Sequence, residues 1–359
     1  MAVHFHELKV KNIKKETDDC ISISFVVPDE FAEEFKFKEG QNITIKKNIN
    51  GTELRRSYSI CSSPHEDELR VAVKKVGGGV FSSYANEHLK KGDVLEVLPP
   101  TGKFNARLSK IDRARYLAIA SGSGITPVIS IIKHTLKSQP QSSFTLIYGN
   151  RSRGSIIFFE ELEAIKNTYM ERFTLINILS REKTDIDFTY GRINKQKLET
   201  LQHLVPYTSF DSIYICGPEE MIFSSKNYFE EIGVDKNNIH FELFSTPGQA
   251  INSRTVETLI KEASSATAIV SLRLDGRTLE FPLAYDGLSI LDAALKTGAD
   301  LPYACKGGVC ASCRAKLTSG KVAMDVNYAL EEEEVAAGFI LTCQAHPLTE
   351  RIEVDFDSK

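Results

Sequence analysis

No stretch of this sequence is apolar for long enough to cross a bilayer as a helix, so membrane insertion is not expected. The opening residues, Met1-Ala2-Val3-His4-Phe5-His6, lack the basic-then-apolar pattern of a secretory signal. An even number of cysteines is missing as well, and four of those present stand together near the end. There are seven, and Cys20, Cys61 and Cys216 are scattered, which argues against a disulfide framework and for a reducing compartment, expected to be the cytoplasm. The formal charge is only −4, and no nucleic-acid partner is expected. What remains is an ordinary globular composition in 359 residues, more than one hydrophobic core organises, so two or three domains are expected.

The small net charge hides an uneven distribution. From Ala266 to Lys359 there are nine Lys or Arg against fourteen Asp or Glu, so the last quarter is acidic and the remainder close to neutral. An acidic module is steered towards a basic surface on a partner. The run Glu331-Glu332-Glu333-Glu334, taken alone, reads as a solvated helix face.

From His4 to Leu98 short alternating segments, Ile21 to Val27, Asn42 to Lys46 and Glu68 to Val76, indicate an antiparallel barrel or sandwich. Within it, Arg55-Arg56-Ser57-Tyr58-Ser59-Ile60 is expected to present a cation, a ring and a hydroxyl on one face of a strand. Arg56 would then hold a phosphate, Tyr58 would stack on a heteroaromatic ring, and Ser59 would bond its edge. An edge strand with an incidental tyrosine is the competing reading. The glycine run Val76-Gly77-Gly78-Gly79-Val80-Phe81-Ser82 opens a short helix whose N–H groups, beside Ser82, suit a pyrophosphate; a loose hairpin turn fits it equally well.

At Tyr116 to Ala120 the pattern changes to a continuous apolar strand, followed by Ser121-Gly122-Ser123-Gly124-Ile125-Thr126-Pro127 and a helix to about Lys137. Gly122 and Gly124 are expected to admit a ligand phosphate to the backbone. The dinucleotide fingerprint G-x-G-x-x-G is absent, because Pro127 stands at the third glycine position. Further strands at Phe144 to Tyr148, Phe173 to Ser180, Ser212 to Cys216 and Ile239 to Phe244 alternate with helices near Phe158 to Asn167 and Glu219 to Glu231, which indicates a parallel α/β sheet. Ser180 and Arg181 end one strand where a ribose would lie, with Arg151 ending its neighbour. An arginine there favours the 2′-phosphate of NADPH over NADH, unless it is only a surface residue. Cys216-Gly217-Pro218 ends another strand, where ligands collect in open α/β sheets; a core cysteine before a helix-starting proline is the alternative.

Ser245 to Ala266 reads as a tether, with Val256 to Glu262 able to turn helical. Beyond it come a hairpin through Asp275-Gly276, a helix from Ser289 to Thr297 with a Ser289/Asp292 capping box and a stop at Gly298, and then Cys305, Cys310 and Cys313, answered by Cys343. The spacing C-x4-C-x2-C with one distant cysteine is that of a plant-type 2Fe-2S ferredoxin. A structural zinc site and buried core thiols compete with it, although zinc motifs usually pair C-x2-C with a second short pair.

Together these motifs resemble the ferredoxin-NADP reductase family fused to a plant-type ferredoxin. Arg56, Tyr58 and Ser59 match its R-x-Y-S, Gly79 and Ser82 its G-x-x-S, Gly122 to Pro127 its G-S-G-I-T-P, and Cys216 to Pro218 its C-G-P. The resemblance implies a multidomain chain. An antiparallel β-barrel FAD domain would span 1–107, an α/β parallel-sheet NAD(P) domain 108–246, a linker 247–266 and an α+β β-grasp ferredoxin domain 267–359. FAD would lie against Arg56, Tyr58, Ser59, Gly79, Val80, Phe81 and Ser82, and NADPH against Gly122, Gly124, Thr126, Ser180, Arg181, Cys216, Gly217 and Pro218. Ser59 and Cys216 would flank the hydride path, and Cys305, Cys310, Cys313 and Cys343 would hold a 2Fe-2S cluster. Electrons would pass to a separate non-haem iron oxygenase, hydroxylase or desaturase. A flavoprotein carrying a redox-sensing or zinc-stabilised interaction module is the reading of another class.

Overall fold

The computed structural model describes residues 4–104, 113–244 and 267–358. Its chain divides into two compact units, 7–54 with 58–244, and 1–6 with 55–57 and 245–359.

Strands β1 (His6–Thr17), β2 (Cys20–Val26), β3 (Asn42–Ile49), β4 (Thr52–Ser59), β5 (Leu69–Lys74) and β6 (Val94–Thr101) form one sheet in the order β4-β3-β6-β1-β2-β5, most of it in the larger unit. A bridge between Ile60, just past β4, and Val71 of β5 closes it into a barrel. The alternation in β2 explains the interior: Ile21, Ile23 and Phe25 join Leu8, Val10, Ile43 and Val97 in the core, while Ser22 and Ser24 take the other face. Helix α1 (Val80–Glu87) starts where the glycine run ends.

The parallel sheet of the same unit comprises β7 (Arg115–Ser121), β8 (Ser143–Asn150), β9 (Phe173–Leu179), β10 (Ser212–Gly217) and β11 (Ile239–Leu243), in the order β11-β10-β7-β8-β9. Tyr116 to Ala120 are fully buried, as a strand covered on both faces requires. Helices α2 (Ile125–Ser138), α3 (Phe159–Thr168), α4 (Lys195–Leu201) and α5 (Glu219–Glu231) connect the strands. The chain leaves β7 in one direction and returns to β10 on its other side, so the order switches between β7 and β10, where α/β sheets open a ligand crevice. The barrel meets this lobe through polar bonds. Ser130 of α2 donates to the Ser62 carbonyl at 2.6 Å, and the Glu161 carboxylate accepts from Arg70 at 2.8 and 3.0 Å and from Lys133 at 2.8 Å.

The smaller unit carries a mixed sheet, β13-β12-β18-β14-β16. It is built from β12 (Thr267–Leu274), β13 (Arg277–Ala284), β14 (Arg314–Ser319), β16 (Phe339–Leu341) and β18 (Arg351–Asp355), with β15 (Val322–Met324) pairing β17 (Ala345–Pro347) beside it. Helix α6 (Ile290–Lys296) buries Ile290, Leu291 and Ala294 in the same core as Val270, Phe281, Leu341 and Val354, which is the β-grasp arrangement. Asp275 and Gly276 both take positive φ, 50° and 71°, as a two-residue hairpin turn demands. Only half of the expected capping box forms. Ser289 accepts from the Asp292 N–H at 3.2 Å, but one Asp292 oxygen meets the Ser289 hydroxyl instead of its N–H and the other is held by Lys306. The acidic helix α7 (Glu332–Ala336) departs from a purely solvated face: Glu334 is buried, with Arg314 Nε at 3.1 Å, and its other oxygen accepts the Glu331 N–H. The tether and its expected helix, and the boundary expected at 107/108, lie outside the described residues. Among the described residues no helix is long and apolar enough to cross a membrane.

Candidate active site and cluster loop

The carboxyl ends of β7 and β10 flank the switch point, where a nucleotide is expected. Gly122 leaves β7 with φ 54°, and the buried Tyr148 hydroxyl of β8 holds that turn by donating to the Gly122 carbonyl at 2.9 Å. A Cβ on Gly122 would meet only the Lys74 ammonium, at 3.8 Å, so this glycine fits a close ligand approach. Gly124 has a different reason to be glycine. Its backbone presses on β10, and a Cβ there would lie 2.1 Å from the Cys216 carbonyl oxygen, so packing by itself requires glycine at this position. Thr126 is buried and donates to the Ser123 carbonyl at 3.0 Å, which shapes the loop. Pro127 is the third residue of α2, in the first turn where its missing N–H is not needed.

At the far end of the crevice the parallel pairing of β8 and β9 brings the expected ribose segment together. Ser180 N donates to the Asn150 carbonyl at 2.9 Å and Arg181 N to the Arg151 carbonyl at 2.8 Å, which sets two exposed arginines on adjacent chains. Gly191 N bonds to the Leu179 carbonyl at 2.9 Å and so delivers a third, Arg192, to the same edge. No motif in the sequence marks Arg192.

On the flavin side, Arg56 and Tyr58 share one face of β4 and are half-buried, whereas Ser59 is buried on the other. The expectation of all three on one face is thereby corrected, since successive side chains of a strand alternate. Ser59 Oγ lies 3.0 Å from Glu242 Oε2 of β11, and Glu242 pairs in register with Cys216 on β10. Barrel strand, switch point and final strand thus converge. Burial, helped by Glu242, raises the Cys216 thiol well above its usual range and keeps it neutral. Glu242 was legible only as the one charge in Phe241-Glu242-Leu243, and Tyr148 only as a hydroxyl within an apolar strand. Gly217 is buried where a Cβ would meet Met221 Cε at 2.7 Å, and the exposed Pro218 caps α5. In the glycine run, Gly79 caps α1, and Ser82 Oγ accepts from Val76 N and donates to the Gly79 carbonyl, both at 3.2 Å. Val80 is exposed, but the Phe81 side chain lies in the barrel core, 5.7 Å from the Tyr58 ring, so only its backbone N–H faces a ligand. The first-turn N–H groups of α1 have no partners within the helix, as a pyrophosphate cradle needs.

The four thiols lie in the smaller unit, three of them in one loop. Cys305 and Cys310 share a hydrogen bond with sulfurs 3.1 Å apart, and the segment bearing Cys343 is tied to Cys313 by Thr342, whose N–H and hydroxyl donate to the Cys313 carbonyl at 3.2 and 2.9 Å. The hydrogen bond between Cys305 and Cys310 draws the Cys310 thiol below its usual range and pushes Cys305 above its own, since one of the two sulfurs keeps the proton. Backbone donors support them: Gly307 N points at the Cys305 sulfur at 3.3 Å. Gly308, with φ 71°, has no room for a Cβ against Val326 at 2.9 Å. Among the described residues no three metal-binding side chains converge on a single-ion position. Four thiols with C-x4-C-x2-C spacing and one distant member fit a two-iron cluster better than a zinc site built from two short pairs.

Three parts of the chain match protein-family models: 7–106 an oxidoreductase FAD-binding domain, 118–227 an oxidoreductase NAD-binding domain, and 272–348 a 2Fe-2S iron-sulfur cluster binding domain. The chain is 46% identical over 356 residues to a component of the 1,2-phenylacetyl-CoA epoxidase of Escherichia coli K12, covering 99% of this chain and 98% of that protein. It is 33% identical to the ferredoxin reductase component of 3-ketosteroid-9-alpha-monooxygenase of Rhodococcus rhodochrous, covering 97% and 96%. Its fold is similar to that of phthalate dioxygenase reductase, with a TM-score of 0.58 and 22% identity over 98% of each chain.

Proposed function

Because the chain belongs to the ferredoxin-NADP reductase family, in the branch with a C-terminal 2Fe-2S domain, we propose that it is the NADPH-dependent reductase component of a multicomponent oxygenase, with phenylacetyl-CoA epoxidase as the acceptor system. The observation that carries the reading is the Ser59–Glu242–Cys216 convergence, which joins the flavin strand to the nucleotide switch point. FAD accepts electrons from reduced nicotinamide in pairs, and a 2Fe-2S cluster passes them on singly.

This chain's residues supply the positioning. Arg56 and the first-turn N–H groups of Gly79, Val80, Phe81 and Ser82 hold the flavin's phosphates, while Tyr58 offers a ring to its aromatic part. Gly122 and the loop pinned by Tyr148 admit the nucleotide backbone; Ser180 and Arg181, beside Arg151, are the groups for a 2′-phosphate, which supports NADPH over NADH. Ser59 and Cys216 orient the reacting rings and exclude water between them. Cys305, Cys310, Cys313 and Cys343 ligate the cluster. The domain limits 1–107, 108–246 and 267–359, joined by 247–266, form part of the same reading. None of the seven cysteines is joined in a disulfide, which supports the cytoplasm.

The test is anaerobic mixing of iron-replete holoprotein with NADPH or NADH, following flavin bleaching and then the electron paramagnetic resonance of the reduced cluster, with the oxygenase component of the epoxidase as acceptor. Transfer to that component with NADPH preferred is expected. Transfer only to another oxygenase would reassign the acceptor, and protein holding neither flavin nor iron would overturn the reading.

A further inference from the structure

Gln344 directly follows the last cluster thiol, and the reductase reading leaves its side chain without a task. Its Nε2 lies 2.9 Å from the Lys306 carbonyl oxygen, 3.0 Å from the Cys343 carbonyl oxygen and 3.8 Å from the Cys343 sulfur. One amide N–H therefore crosses to the loop bearing the first thiols, and the other is turned back on the fourth. The residue it reaches is under constraint. Lys306 adopts φ 53°, a left-handed conformation that side chains resist, with its ammonium 2.6 Å from Asp292 and 4.8 Å from the Tyr303 ring centre. The Gln344 stem also lies over Gly308, where a Cβ would be 3.3 Å from its Cγ.

We propose that Gln344 is a positioning residue for the iron-sulfur centre. Its amide clasps the Cys305–Cys310 loop to the Cys343 segment and, by aiming an N–H at the Cys343 sulfur, raises the reduction potential. A donor directed at a ligand sulfur stabilises the more negative, reduced centre, so removing it disfavours reduction. The proposal rests on the 2Fe-2S reading, and iron content measured first separates the two: wild-type protein without iron would sink that reading, and this proposal with it.

The experiment uses full-length holoprotein, wild type, Gln344→Leu and Gln344→Glu, in equilibrium redox titrations read by electron paramagnetic resonance, with the flavin as internal control. Gln344→Leu is expected to shift the one-electron equilibrium about tenfold towards the oxidised form, 59 mV for a one-electron couple. Gln344→Glu, which keeps the shape but loses both donors and adds a charge, is expected to shift it further, with the flavin couples unmoved. Iron release to a chelator should be several-fold faster in Gln344→Leu. Gln344→Glu carries the test should Gln344→Leu fail to fold. Iron-loaded variants with the wild-type cluster potential would overturn the proposal, as would an equal shift of the flavin.

Discussion

Ser59 and Glu242 are 183 residues apart in sequence, yet the serine hydroxyl donates to the glutamate carboxylate at 3.0 Å. The bond ties β4 of the barrel to the last strand of the parallel sheet, beside Cys216. Ser59→Ala and Glu242→Gln are each expected to slow flavin reduction by roughly 10- to 100-fold, as loss of alignment does, with little change in the Michaelis constant for NADPH. Stopped-flow reduction at several nucleotide concentrations checks it. A change confined to the Michaelis constant would count against this role.

Arg181 is exposed at the end of β9 and is held to Arg151 only through the main chain. Its side chain is therefore available to a ligand. Arg181→Ala is expected to raise the Michaelis constant for NADPH by about tenfold, the worth of one charge-assisted hydrogen bond, and that for NADH by less than about twofold. Steady-state kinetics with both nucleotides decide it, and equal effects would refute the 2′-phosphate role.

Two glycines of one loop should respond differently to alanine. Gly124→Ala drives a Cβ into the Cys216 carbonyl and should cost about 1–3 kcal/mol of stability, since neither backbone can yield cheaply. Gly122→Ala clashes with nothing, and its cost comes from the left-handed φ, about 1–2 kcal/mol. Denaturant unfolding measures both. Nucleotide affinity should fall in Gly122→Ala, whose new methyl stands where the ligand approaches.

Glu161 joins Arg70 of the barrel to Lys133 of α2. Burial pushes its carboxyl up, but Lys133 and Arg70 pull it further down, so its pKa in the folded chain lies below the ordinary value. The stability it contributes is fully present above the unfolded pKa, about 4.3, and is lost as pH falls through the lower folded value. Glu161→Gln should destabilise the protein by about 3 kcal/mol at pH 7 and flatten the acid limb of its stability curve. Thermal melts between neutral pH and acid test it; an unchanged limb would show that the carboxylate is not coupled.

Much of this protein was legible along the chain because its signals are local. The period-two pattern of β2, the apolar run of β7, the Asp275-Gly276 turn and the thiol spacing each express a short-range rule, and each element formed where expected within a few residues. The cofactor motifs are local in the same way, because a phosphate cradle or a cluster loop must be built from neighbouring N–H groups and thiols.

The tertiary structure decided the partnerships. Pairing of β10 with β11 gave Glu242 its place beside Cys216, and barrel closure turned Ser59 towards it. Helix α2 brought Gly124 against a carbonyl that no spacing announces, and the return of Gln344 to Lys306 spans 38 residues. The sequence by itself determined which chemistry each segment carries, because that depends on a few adjacent residues. Which of those groups meet, and at what distance, depends on strand order and packing between segments far apart in the chain, and no local pattern encodes it.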